Sequence, residues 1–175
     1  MKNSIITLLV TTLLQSSLVY SDDKDFSLHG IKLGINEEIL IEEYPEFNCE
    51  KDKSNSELRR CTAKFDPTSQ PGVFERLRGS SIDIHITFRK DKLVNINIPF
   101  YSGLFVPASQ FFENQYGQPK VLQNSIKNIH GKEEKNTILQ WTQGGESIIY
   151  WKIDEDRFKN DNTDEYSRIL FLLKE

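Results

Sequence analysis

Histidine and cysteine are scarce in this chain, and their scarcity narrows its chemistry. The three histidines are His29, His85 and His130. No two of them, and no histidine with a cysteine, stand at the close spacing of a zinc motif. The two cysteines, Cys49 and Cys61, lie far wider apart than the CxxC of a redox pair. There is no GxSxG elbow to hold a nucleophilic serine and no glycine-rich phosphate loop. Catalytic, cofactor and metal residues are therefore expected to be absent, and the chain does not read as an enzyme. Excess positive charge is missing as well. The formal net charge is −4, which argues against a nucleic-acid partner.

Long hydrophobic runs are also absent, apart from one at the start. Ile5 to Leu14 is apolar except for Thr7, Thr11 and Thr12, and Lys2 is the only charge before Asp22. Val19 and Ser21 occupy the −3 and −1 positions of a small-residue cleavage site. That layout is a secretory signal peptide, and the run is shorter than the roughly 20 residues a spanning helix needs. Residues 1–21 are thus expected to be removed, with no stable membrane insertion afterwards. Residues 22–175 are expected to form a single domain, periplasmic or secreted by a bacterium. In an oxidising compartment an even pair of cysteines reads as a disulfide, so Cys49 and Cys61 are expected to be bonded. Closing so short a loop stabilises by roughly 2–3 kcal/mol in the chain-entropy picture.

What the chain does have is alternation. Ile82, Ile84, Ile86 and Phe88 alternate with Asp83, His85 and Thr87; after Arg89-Lys90-Asp91-Lys92 the pattern resumes at Val94, Ile96, Ile98 and Phe100. Two period-2 runs around a short charged turn predict an antiparallel hairpin with one buried face. A second hairpin is predicted over Asn136–Gln143 and Ser147–Ile153 across Gly144-Gly145, with Leu139, Trp141, Ile149 and Trp151 inward. Tyr166–Leu173 reads as a last strand, apolar on both faces and hence central or covered. Two short strands are expected around the Cys49–Phe65 disulfide loop, and one over Phe26–Leu33.

Two helices are predicted. The first starts at Asn36 as a cap, with Glu37 and Glu38 in its first turn, and stops at Tyr44 before Pro45. Ile39, Leu40 and Tyr44 share its face. The second runs from Pro107 to Tyr116, with Gly117 just beyond its end, and Phe111, Phe112 and Tyr116 inward. Residues 121–130 and 154–165 read as connectors, 66–72 as a loop, and 73–78 as either a helical turn or the approach to the central hairpin. The fold class is α+β: one antiparallel sheet of two meanders with two short helices packed on one face. A helix followed by antiparallel strands occurs twice, a loose internal repeat.

Gly30-Ile31-Lys32-Leu33-Gly34-Ile35-Asn36-Glu37-Glu38 and Phe112 to Pro119 resemble small bacterial periplasmic α+β domains. The superfamily is the one that includes the β-lactamase inhibitor protein and the outer-membrane assembly lipoprotein of the SmpA/OmlA type. The resemblance covers about thirty residues, and the lipidated cysteine of the lipoprotein branch is missing. It implies a non-catalytic domain that binds other proteins through its sheet and loops.

The candidate contacts follow from the predicted faces. Tyr150, Gln140, Lys152 and His85 are expected on the helix-free side of the sheet, and Tyr101 and Phe105 on an aromatic loop. The partner is expected to be another protein, in an inhibitor, immunity or envelope-assembly role. Two other readings remain. His85 with Asp83 is the nearest thing to a hydrolytic dyad, and a groove between helices and sheet would suit a small-ligand carrier. Asp154, Asp156 and Glu165 match positions 1, 3 and 12 of a calcium loop, but Phe158 and Lys159 fail at positions 5 and 6. A solvated loop is the better expectation there.

Overall fold

The structure, a computed structural model, describes residues 25–28, 30–65, 82–161 and 163–174. Residues 1–24, which include the expected signal peptide, His29, the segment 66–81, Asn162 and Glu175 lie outside the described residues. One antiparallel sheet dominates. In chain order its strands are β3 (Asn48–Lys51), β4 (Leu58–Phe65), β5 (Ile82–Arg89), β6 (Lys92–Tyr101), β7 (Lys120–Lys127), β8 (Glu133–Gln143), β9 (Glu146–Trp151) and β10 (Tyr166–Leu173). In space they run β3-β4-β5-β6-β10-β9-β8-β7. Each meander therefore ends in the middle, where β6 and β10 pair. Helix α1 (Glu37–Glu43) precedes the first meander and α2 (Phe105–Tyr116) the second. The helix-then-four-strands unit occurs twice.

The central hairpin forms as its alternation predicts, with one departure. Phe88 pairs with Leu93 and Thr87 with Asn95, which leaves Val94 as an extra residue. This bulge switches the inward side of β6. Leu93 is fully buried in place of Val94, which is half-buried; Ile96, Ile98 and Phe100 remain inside. The second hairpin corrects the expectation further. Gly144 and Gly145, both at positive φ, form a two-residue turn that sets Trp141 opposite Ile148 and Leu139 opposite Tyr150. Residues directly opposite share a face. Ile148 and Tyr150 therefore point into the core, while Ile149 and Trp151 face the other way.

The Phe26–Leu33 segment is a small hairpin rather than one strand. Its strands β1 (Ser27–Leu28) and β2 (Ile31–Lys32) pair across a turn at Gly30. It straps the two halves together. Tyr116 at the end of α2 donates its hydroxyl to the Ser27 carbonyl and accepts from the Ser27 amide. Gly34 donates to Leu93. Phe26, Leu28, Ile31 and Leu33 are buried in the same cluster as Leu40 of α1, Phe112 of α2 and one face of the sheet. Ile39 and Phe111, expected on the buried sides of their helices, are 44% and 40% exposed. Helix α2 begins two residues earlier than Pro107, directly from a 3₁₀ turn at Ser102–Leu104.

Cys49 and Cys61 stand opposite each other on β3 and β4 and are joined as a disulfide. In the loop they close, the hydroxyl and amide of Ser54 hold the Asp52 carboxyl down to about 2. Two predicted connectors are ordered elements. Residues 120–127 form the edge strand β7, exposed except at Ile126. Residues 155–161 form helix α3 (Glu155–Asp161). Asp154 caps it, accepting from the amides of Asp156 and Arg157.

Candidate binding face

The side chains of the sheet point alternately to two faces. One carries the main core beneath α1 and α2. On the other, among the described residues, only α3 lies across the sheet, at the β7 edge. There Phe158 is buried with Ile126 and Ile153, Asn124 donates to Glu155, and the buried Asn136 exchanges two hydrogen bonds with the backbone of Ile153.

Strand register fixes what the rest of this face presents. One cross-strand row runs Thr62, His85, Asn97 and Leu170, then through Ile149 to Gln140. A parallel row runs Arg60, Thr87, Asn95 and Leu172, then Ser147 and Thr142. Over β3 to β6 the rows are polar and form an open depression of about 560 Å³. Over β10 both rows turn apolar, at Leu170 and Leu172. On β9 the first continues with Ile149 and the second with Ser147, and Trp151 follows Ile149 on the same face. The four apolar side chains are half-buried. Past the apolar strip, Tyr101 pairs with Tyr166, and their rings stack at 5.5 Å. The Arg157 guanidinium lies 4.1 Å from the centre of the Tyr166 ring, within cation–π range. Arg168, the neighbour of Trp151, donates to Asp154 at 3.2 Å and Asp156 at 2.8 Å.

The six expected contact residues divide. His85 and Gln140 lie on this open face, and Tyr101, half exposed, stands at its end. Tyr150 does not: its side chain is fully buried on the opposite side, and burial pushes its hydroxyl far up. Phe105 is likewise turned inward, its ring 4.6 Å from that of Tyr150. Lys152 lies just past the end of β9, exposed. The aromatic rings of Phe105, Phe112, Tyr150 and Phe171 fill the space between α2 and the sheet, where a carrier's groove was expected. Trp151, expected inward, belongs to the open face, as do Tyr166, Asn95, Asn97 and Arg168, which the sequence did not single out as contacts. The turn parity of the second hairpin would have placed Trp151 there.

Asp83 and His85 share the open face, but their cross-strand neighbours are Lys64 for the acid and Thr62 and Asn97 for the imidazole. Asp154 cannot serve a calcium loop, since its buried carboxylate is occupied by the cap of α3 and by Arg168. Among the described residues, the one cluster with metal-ligand spacing is Glu37, Cys49 and Cys61. Its sulfurs are bonded to each other, and the Glu37 carboxylate is paired with Arg59. Among the described residues no helix is long and apolar enough to cross a membrane. No family model, no curated protein and no solved structure matches this chain.

Proposed function

We propose that this chain is an exported, non-catalytic binding domain that meets another protein through the open face of its sheet. One observation carries the reading. Where β6, β10 and β9 meet, Tyr101, Tyr166, Trp151 and Arg168 adjoin a half-buried strip of Leu170, Leu172 and Ile149. Tyr, Trp and Arg dominate the energetic centres of protein interfaces, and a contiguous apolar strip on an open face marks a contact. The disulfide supports an oxidising compartment, and a signal peptide cut after Ser21 would deliver the domain there. Inhibitor, immunity and envelope-assembly roles all use such a surface.

The test is photo-crosslinking in cells that make the protein. A benzophenone side chain is placed at Tyr101 or Leu170 on the open face, or at Phe111 on the helix side. A discrete adduct from the first two positions and none from the third is expected. Tyr101→Ala combined with Tyr166→Ala should weaken binding of the captured partner by about 2 kcal/mol or more. Adducts only from Phe111 would move the contact to the helices and overturn the proposal.

A further inference from the structure

The large sheet ends in two edges, β3 and β7, and they are built differently. An edge strand presents a row of backbone N–H and C=O groups that can pair with another strand, and short length or charge usually protects it. The β3 edge has both protections: Asn48–Lys51 is four residues long and includes Glu50 and Lys51. The β7 edge has neither. It is eight residues long and pairs with β8 without a bulge, from Lys120–Gln140 to Lys127–Glu133. No residue from Val121 to Ile126 is charged. Val121 is 57% and Leu122 39% exposed. Among the described residues, no backbone group of β7 hydrogen-bonds outside its ladder to β8.

Strand parity says what can lie against this edge. Val121, Gln123, Ser125 and Lys127 fall on the helix side of the sheet, and Lys120, Leu122, Asn124 and Ile126 on the open face. Suppose two copies of β7 pair antiparallel about a two-fold axis normal to the sheet. Residues directly opposite then share a face. Lys120 and Lys127 belong to different faces, so these like charges cannot stand opposite each other. The register with its axis at Gln123 uses the strand from Lys120 to Ile126. It sets Gln123 against its own copy, Val121 against Ser125, Leu122 against Asn124 and Lys120 against Ile126. Lys120 is then diagonal to Asn124 of the other copy, within reach of a long side chain. That Asn124 holds Glu155 in the acidic first turn of α3. An exposed pair of this kind gives direction more than strength.

We propose that β7 is a self-association edge, at which a second copy of this chain adds its own β7 antiparallel and continues the sheet. A two-fold contact needs only one self-complementary patch and closes at two copies. At about 3.4 Å per residue β7 is roughly 27 Å long. Joined along that line, two copies bury less than the roughly 1,200 Å² of a standard interface, so the dimer forms with rising concentration. The two-fold axis leaves both open faces on the same side. The row Trp151, Ile138 and Leu122 runs to this edge, so pairing brings the two rows together. The proposal goes beyond the protein contact of the open face and does not rest on it, since replacing Tyr101 and Tyr166 leaves β7 unchanged.

The test is sedimentation velocity on the purified protein over a wide range of concentration. A shift from the monomer towards twice its mass is expected. Val121→Lys with Ser125→Lys sets lysine against lysine and should weaken the dimer by about tenfold or more. Val121→Glu with Ser125→Glu should do the same, and mixing the two variants should restore the dimer. Both positions are exposed, and unchanged circular dichroism checks the fold. A separate readout places the contact. Cys49 and Cys61 are bonded to each other, so Gln123→Cys, at the axis, should oxidise to a covalent dimer, while Lys51→Cys on the β3 edge should not. The proposal is overturned if the mass stays that of a monomer at every concentration, whether or not another protein is captured at β7. It is also overturned if the double-lysine variant associates like the parent, or if Lys51→Cys crosslinks and Gln123→Cys does not.

Discussion

Tyr150 sits at the centre of the core, its ring 5.4 Å from Phe100, 4.6 Å from Phe105 and 6.4 Å from Phe112. Its hydroxyl is buried with no hydrogen-bond partner among the described residues. The nearby Ser167 hydroxyl is directed to the Lys152 carbonyl at 2.7 Å. Desolvating a hydroxyl without a partner costs about 1–3 kcal/mol, while the ring itself supplies large apolar burial and edge contacts. Tyr150→Phe keeps the ring and removes the unpaired group. It should leave stability unchanged or raise it by about 1 kcal/mol, read as a higher urea midpoint at the same slope. A loss of 1 kcal/mol or more would mean that the hydroxyl has a partner in solution. Tyr150→Ala, by contrast, would open a cavity at a cost of about 3–5 kcal/mol.

At the scale of the element, the turn of the central hairpin is built from unfavourable residues. Arg89 pairs with Lys92, so Lys90 and Asp91 alone make the turn, at φ 49° and 63°. Two left-handed residues define the turn whose twist suits a hairpin. A side chain there costs roughly 1–2 kcal/mol, with Asp tolerated better than Lys. The Asp91 carbonyl accepts from Glu37, a backbone contact any residue keeps. Lys90→Asn with Asp91→Gly should therefore stabilise the domain by about 1 kcal/mol, visible in thermal unfolding as a higher midpoint. An unchanged or lower midpoint would show that the turn is not left-handed.

The same turn logic shows what was legible in the sequence and what was not. Both hairpins could be located from alternation and turn residues. The inward face of the second could not be chosen from Ile148 to Trp151, which is apolar at every position; only the two-residue turn, which pairs Trp141 with Ile148, decides it. Strand β7 left no periodic trace because it is an edge strand held by its ladder to β8, with one buried residue. Helix α3 likewise buries only Phe158 among its described side chains, and Asp154, which matched the first position of a calcium loop, is its cap. The polar depression was invisible for a different reason. Thr62, His85 and Asn97 become neighbours through register, and no spacing along the chain records that.

At the scale of the whole molecule, the question is whether two helix-and-meander units make two folding units or one. The second half holds both tryptophans, Trp141 and Trp151, so tryptophan fluorescence reports on that half, whereas far-ultraviolet circular dichroism reports on the entire sheet. Three features tie the halves together. The β6–β10 ladder joins them from Tyr101–Tyr166 to Asn95–Leu172. A single buried cluster takes residues from both, from Phe26 and Leu40 through Ile96 to Trp141 and Phe171. The β1–β2 strap packs in that cluster with α1 while hydrogen-bonding Tyr116 of α2 and, through Phe26, Glu146 of β9. A half expressed alone would expose the inner face of its last strand and lose the strap's second anchor. The two probes should therefore give coincident urea transitions with one midpoint, as a single cooperative domain does. A fluorescence transition displaced from that of the dichroism would show that β7–β10 unfolds apart from β3–β6, and that the shared core contributes too little to couple them.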